Sequence, residues 1–230
     1  MKPAVASINE VLDRFLAHAG GIGEREAVVE LYRSYLDGYG QELLTANERD
    51  LWQRQYDADE EEGSFCNLFG PDRILEGLDG FLGWFVIRKV LGPPETVAAA
   101  GPVCADLTTW LVDEGYVDLR AADGFAELTT AAARDLPLAE ELSGLLYTSG
   151  REVDDKAVIE TADWENEVGE IWRIEPGRLW FQSELGEIGP VIVPHRASEI
   201  AGLGWGVSAL AFGRTEAGWR ILEMGNVYPS

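Results

Sequence analysis

Histidine is nearly missing from this chain of 230 residues: only His18 and His195 are present. General acid–base and nucleophilic catalysis recruit histidine most often, and the two fall in different parts of the sequence. Cysteine is equally scarce. Cys66 and Cys104 make no disulfide framework and no zinc-type spacing, and they read as two reduced, buried thiols. Only Lys2, Lys89 and Lys156 are lysines among 18 basic residues. No Walker motif and no dinucleotide-type glycine pattern occurs, so phosphate cradles of those kinds are excluded. Long apolar runs are missing too. The uncharged stretch Gly202 to Gly213 is glycine-rich and too short to span a bilayer. The first ten residues, MKPAVASINE, carry no apolar core followed by a small-residue cleavage site. A cytoplasmic protein without membrane contact is the expectation.

What is abundant is negative charge. There are 41 acidic and 18 basic residues, a formal charge of −23. Up to Ser149 there are 27 acidic against 11 basic residues, a net of −16; beyond it there are 14 against 7, a net of −7. Both parts are acidic, so this is not an acidic tail on a neutral body. Nucleic acids are repelled by such a chain unless a local basic patch survives. An acidic, lysine-poor surface also suits a salt-rich cytosol, where screening removes the self-repulsion.

The first 149 residues carry helical periodicity. Ser7 and Glu10 fit a capping box ahead of Ile8, Val11, Leu12, Phe15 and Leu16, and Gly20-Gly21 ends that helix. His18 in its last turn suits the helix dipole. A second helix from about Glu24 places Val28, Leu31, Tyr32, Tyr35, Leu36 and Tyr39 on one face, and these tyrosines read as core. Thr45 and Glu48 repeat the capping pattern before Leu51, Trp52 and Tyr56. The acidic run Asp57 to Gly63 fails the calcium-loop test, since Glu62 and Leu68 occupy the sixth and twelfth positions. It reads as a solvated turn. A helix over Asp72–Leu91, weakened by Gly80 and Gly83, stops at Gly92-Pro93-Pro94. The next runs from Pro94 to Glu114, bent or divided at Pro102, and closes at Gly115 with Tyr116 packing back. Two further helices fit about Ala121–Arg134 and Leu138–Tyr147.

Near Thr148 the period changes, and Ser149 to Lys156 reads as a polar linker. Strand-like runs follow at Glu167–Ile174, Arg178–Ser183 and Gly189–Val193, then a short helix at Ala197–Leu203, then strands at Trp205–Phe212 and Trp219–Met224. Three strands, a helix and two strands is the order of an OB-type barrel, with an SH3- or Tudor-like barrel as the alternative. The fold class expected is α+β: an all-α domain over residues 1–149 and a small antiparallel β-barrel over 157–230.

Within the helical part, AAGPVCADLTTWLVDEGYVD (99–118) resembles the last helix of the core-binding domain of tyrosine recombinases, the phage integrases, and FLGWFVIRK (81–89) is similar to the helix before it. The resemblance covers about residues 25–118. It implies a shared helical shape, with DNA contact as a property of that family. The family's catalytic domain has no counterpart here. It needs a His-x-x-Arg, whereas His195 is followed directly by Arg196, and the C-terminal segment is β-rich.

No catalytic, cofactor or metal residues emerge. Ser208, in GVSAL, lacks the second glycine of a nucleophile elbow. Carboxylates are so plentiful that any glycosidase-type pair would be arbitrary. Five of the eight tryptophans lie in the β segment, and a small barrel core holds two or three large aromatics. Trp180 alternates with Leu179 and Phe181 and so points the opposite way. Trp172 and Trp180, with Arg173, Arg178 and Arg196, form the candidate binding surface; Arg214 and Arg220 complete the arginines that would build a basic patch. A non-enzymatic binding or adaptor protein that contacts a protein partner is the leading expectation. A nucleic-acid-associated protein is the second, and a carboxylate-based hydrolase the third.

Overall fold

The computed structural model describes residues 6–20, 23–60, 62–89 and 94–230. Gly21, Glu61 and the Gly92-Pro93 stop lie outside the described residues. The chain forms two compact units, Met1–Ala133 and Arg134–Ser230.

The first unit is helical. α1 (Ile8–Ala19) starts at a reciprocal cap: the Ser7 hydroxyl accepts from the Glu10 N–H at 3.2 Å, and the Ser7 N–H donates to the Glu10 carboxylate at 3.1 Å. It ends at Gly20 in the left-handed conformation. Its Ile8, Val11, Leu12 and Phe15 are fully buried, as their spacing requires. α2 (Glu24–Tyr39) buries Val28, Val29, Tyr32, Tyr35 and Leu36. The Tyr32 hydroxyl donates to the Ile74 carbonyl, and its ring lies 4.7 Å from that of Phe81. α3 (Ala46–Ala58) carries the second capping box, Thr45 with Glu48. The short α4 (Phe65–Leu68) follows.

The span expected as one helix from Asp72 is segmented. It runs as α5 (Asp72–Glu76), α6 (Leu78–Gly80), a π-helical stretch Phe81–Phe85 and α7 (Val86–Lys89). Gly77 and Gly80 within it let the tyrosines of α2 approach closely. A Cβ at Gly77 would stand 2.8 Å from the Tyr32 hydroxyl, and one at Gly80 would collide with the Tyr35 hydroxyl. α8 (Pro94–Asp113) continues through Pro102 as one helix. It closes as the sequence anticipates. Tyr116 N–H bonds to the Leu111 carbonyl, Gly115 N–H to that of Val112, and the Tyr116 ring returns to within 5.4 Å of Trp110.

α9 (Leu119–Arg151) unites the two helices expected before the linker. Pro137 lies inside it. Proline offers no N–H to the carbonyl four residues back, here Ala133, yet fits helical φ. The division between the units falls immediately after Ala133. The sequence places the boundary at 149–157 instead, because Ser149-Gly150 and the acidic residues after it look like a linker.

The second unit comprises Arg134–Arg151 of α9, β1 (Glu160–Glu175), β2 (Arg178–Ser183), β3 (Gly186–Ile192), α10 (His195–Ile200), β4 (Gly206–Thr215), β5 (Gly218–Glu223) and β6 (Val227–Tyr228). β1 begins seven residues before its expected start at Glu167, and β6 is an addition. The strands form a six-stranded sheet in the order β1-β2-β3-β5-β4-β6, and β1 also pairs with β4. All pairings are antiparallel except Val191 of β3 against Trp219 of β5. Ile171, Leu179, Phe181, Val191, Val207 and Phe212 face one core, joined there by Ala139, Leu142 and Leu146 of α9. No described helix is long and apolar enough to cross a membrane.

Candidate functional site

Four of the five candidate residues, Trp172, Arg173, Arg178 and Trp180, gather on the outward face of β1 and β2, because alternation sends their neighbours inward; Arg196 lies on α10. Ile171 pairs with Phe181 and Ile174 with Leu179, all toward the core. Two residues, Trp172 and Arg173, occupy β1 between those inward positions, against Trp180 alone on β2. The extra residue is a β-bulge, and it re-aims a side chain. Trp172 is left 40% exposed.

Trp180 points away from the core, as its alternation requires, but it is only 7% exposed. Two neighbours cover it. The Arg173 guanidinium carbon lies 4.5 Å from the ring centroid, and the indole rests against Gly189 of β3, where a Cβ would overlap the ring. Trp180 therefore builds the face without offering a free ring. The other tryptophans of the unit divide between core and surface. Trp164 and Trp205 are core, and Trp219 is partly buried with Arg214 at 5.9 Å from its ring.

Three of the five candidate arginines are engaged in ion pairs. Arg173 is ion-paired with Glu175. Arg196 lies on α10, where it grips Glu141 of α9 through two hydrogen bonds of 2.7 and 2.9 Å and approaches Glu199 at 3.8 Å. That grip holds the Glu141 carboxyl below its ordinary range. Arg214 pairs with Glu160 at 3.2 Å. Arg178, opposite Glu175 in register, and Arg220 make no ion pair among the described residues.

Sequence reasoning missed the neutral and acidic members of this face. β1 presents Val168, Glu170 and Trp172 outward in alternation, with Val168 exposed to 53%. Glu170 lies opposite Gly206 of β4 and Gln182 of β2, and Gln182 lies opposite Glu187 of β3. The alternation within β1 was the available signal; the strand partners were not visible in it.

His18 sits beside Trp110, 6.2 Å between ring centroids, and His195 begins α10 in the other unit. The Ser208 hydroxyl accepts from the Asn226 N–H within the sheet. Asp135 is the one buried carboxylate among the described residues, and Arg134 binds it through two hydrogen bonds of 2.7 Å. Both cysteines are buried, and burial pushes their thiols up, away from the reactive thiolate. Among the described residues no three histidine, cysteine or carboxylate side chains group as metal ligands would. An open cleft of about 590 Å³ lies between the segment Ser149–Ile159 and the β4–β5 turn; it mixes Glu152, Asp154 and Glu216 with Lys156 and Arg220.

No family model, curated protein or solved structure matches the chain.

Proposed function

We propose that this protein is a non-enzymatic binding module whose C-terminal unit is a small OB-type barrel that contacts a protein partner through the outward face of β1 and β2. The barrel reading rests on the strand pairings. They run β1–β2, β2–β3, β3–β5, β5–β4 and back from β4 to β1, with the β3–β5 step parallel and α10 between β3 and β4. The β1–β2 and β4–β5 connections are tight turns, Pro176-Gly177 and Glu216-Ala217. The helical unit keeps the proposed resemblance to the integrase core-binding shape, carried by the Gly115–Tyr116 ending of α8.

The observation that carries the function is Trp172. A large aromatic side chain stands exposed on a β-bulge, while the adjacent cation, Arg173, is already occupied by Glu175 and Trp180. Exposed aromatics on a rigid sheet are anchors for protein contacts. Stacking of nucleic-acid bases would need cations beside the ring, and three of the five candidate arginines are ion-paired. The test is affinity capture from the source lysate with the wild-type chain and W172A, with and without nuclease. A protein retained after nuclease and lost with W172A supports the reading. Capture that vanishes on nuclease treatment would favour nucleic acid instead.

A further inference from the structure

We infer that the segment docking on this face is basic and carries apolar side chains beside its cations. The inference rests on the protein-binding reading above and narrows the partner's chemistry.

One rung of the sheet crosses five strands. Tyr228 of β6 lies opposite Gly206 of β4, Gly206 opposite Glu170, Glu170 opposite Gln182, and Gln182 opposite Glu187. Val168 leans over Gly206: a Cβ there would stand 2.8 Å from the Val168 side chain and 3.8 Å from the Tyr228 Cβ, so Val168 and Tyr228 cover the Gly206 position beside Glu170.

Glu170 and Glu187 make no ion pair among the described residues. Their cross-strand neighbours, Gly206 and Gln182, are neutral. The nearest cation along β1, Arg173, is turned to Glu175 and Trp180. Two strand spacings, roughly 9–10 Å, separate the backbone positions of the two glutamates.

These facts select the occupant. A nucleic acid or an acidic segment would bring like charge to Glu170 and Glu187. A purely apolar surface could cover Val168 and Trp172, but it would strip water from two carboxylates and return no partner, which is strongly unfavourable. A lysine- or arginine-bearing segment supplies the missing charges while its apolar residues cover Val168 and Trp172. Complementarity of this kind governs specificity and encounter rate.

The test uses a synthetic peptide alternating lysine and leucine, titrated by fluorescence anisotropy at ~150 mM NaCl, where exposed charges beyond about 8 Å are screened. A glutamate–leucine counterpart is titrated in parallel. E170Q/E187Q should weaken lysine–leucine binding by about tenfold, as loss of interface anchors does. The control E216Q/E223Q, which removes the same charge elsewhere on the unit, should leave it nearly unchanged. Equal weakening in both double variants, binding of the glutamate–leucine peptide, or no binding of the lysine–leucine peptide would overturn the inference. Capture of a lysate partner that W172A abolishes and E170Q/E187Q leaves intact would also overturn it, while the protein-binding reading stood. A partner retained by both variants would overturn the two together.

Discussion

The guanidinium carbon of Arg173 lies 4.5 Å from the ring centroid of Trp180, and Gly189 lies against the same indole. A tryptophan that faces away from the core is thereby buried by one cation and one missing Cβ. Removing the cation should uncover it. R173A is expected to lower stability by about 0.5–1 kcal/mol, the usual size of an exposed cation–π contact. It should also raise acrylamide quenching of tryptophan, and R173K should restore part of both effects. Unchanged quenching in R173A would show that Gly189 and the strand alone shield the ring.

The two ends of α9 belong to different units, so fragments should separate them. A chain of residues 134–230 retains Leu142 and Leu146 in the sheet's core. A chain of residues 157–230 loses both. Full burial of a leucine contributes roughly 1.5–3 kcal/mol, against a typical domain stability of about 5–15 kcal/mol. The longer fragment should unfold cooperatively in urea, and the shorter one should be much less stable or unfolded. Equal midpoints would mean that α9 adds nothing to the sheet's stability.

Local chemistry was legible in the sequence, and non-local contact was not. Both capping boxes and the Gly115 ending need only residues within one turn of each other, and they are formed as read. β2 has the expected bounds, because the Pro176-Gly177 turn marks its start locally. The sequence divides this span into helices over about Ala121–Arg134 and Leu138–Tyr147, yet Pro137 between them removes only a single hydrogen bond from the helix. α9 therefore continues, and the boundary moves with it. Trp172 and Trp180 both read as outward. Only the bulge and Gly189 on β3 decide that one is exposed and the other covered, and neither has a signature within its own strand.

Glu141 is held below the ordinary carboxylate range first by its hydrogen bonds to Arg196. A carboxylate depressed in the folded state stabilises fully above its unfolded value, about 4.3, and loses that contribution as pH falls through the lowered folded value. R196Q should move the Glu141 titration upward and flatten the acid side of the stability profile. Carboxyl chemical shifts followed from neutral to acidic pH in both proteins measure it. An unmoved Glu141 midpoint would mean the pair does not persist in solution.

Sodium chloride should stabilise the fold. With 41 acidic and 18 basic residues, at least 23 carboxylates lack a one-to-one partner. Raising salt shortens the screening length from ~30 Å at 0.01 M to ~3 Å at 1 M, and the exposed pairs weakened by it contribute only ~0–1 kcal/mol each. The unfolding midpoint should rise with NaCl and respond less to an uncharged osmolyte. A flat or falling midpoint would show that the carboxylates are already adequately spaced or paired.

The central claim is that the outward face of β1 and β2 binds a protein through Trp172, and nuclease-treated affinity capture with wild type and W172A side by side tests it most directly. The account predicts a protein partner that survives nuclease, is retained by wild type and is lost from W172A, with the variant's unfolding midpoint close to wild type because Trp172 lies outside the core. Equal retention by a folded W172A, or a partner released by nuclease, would contradict it.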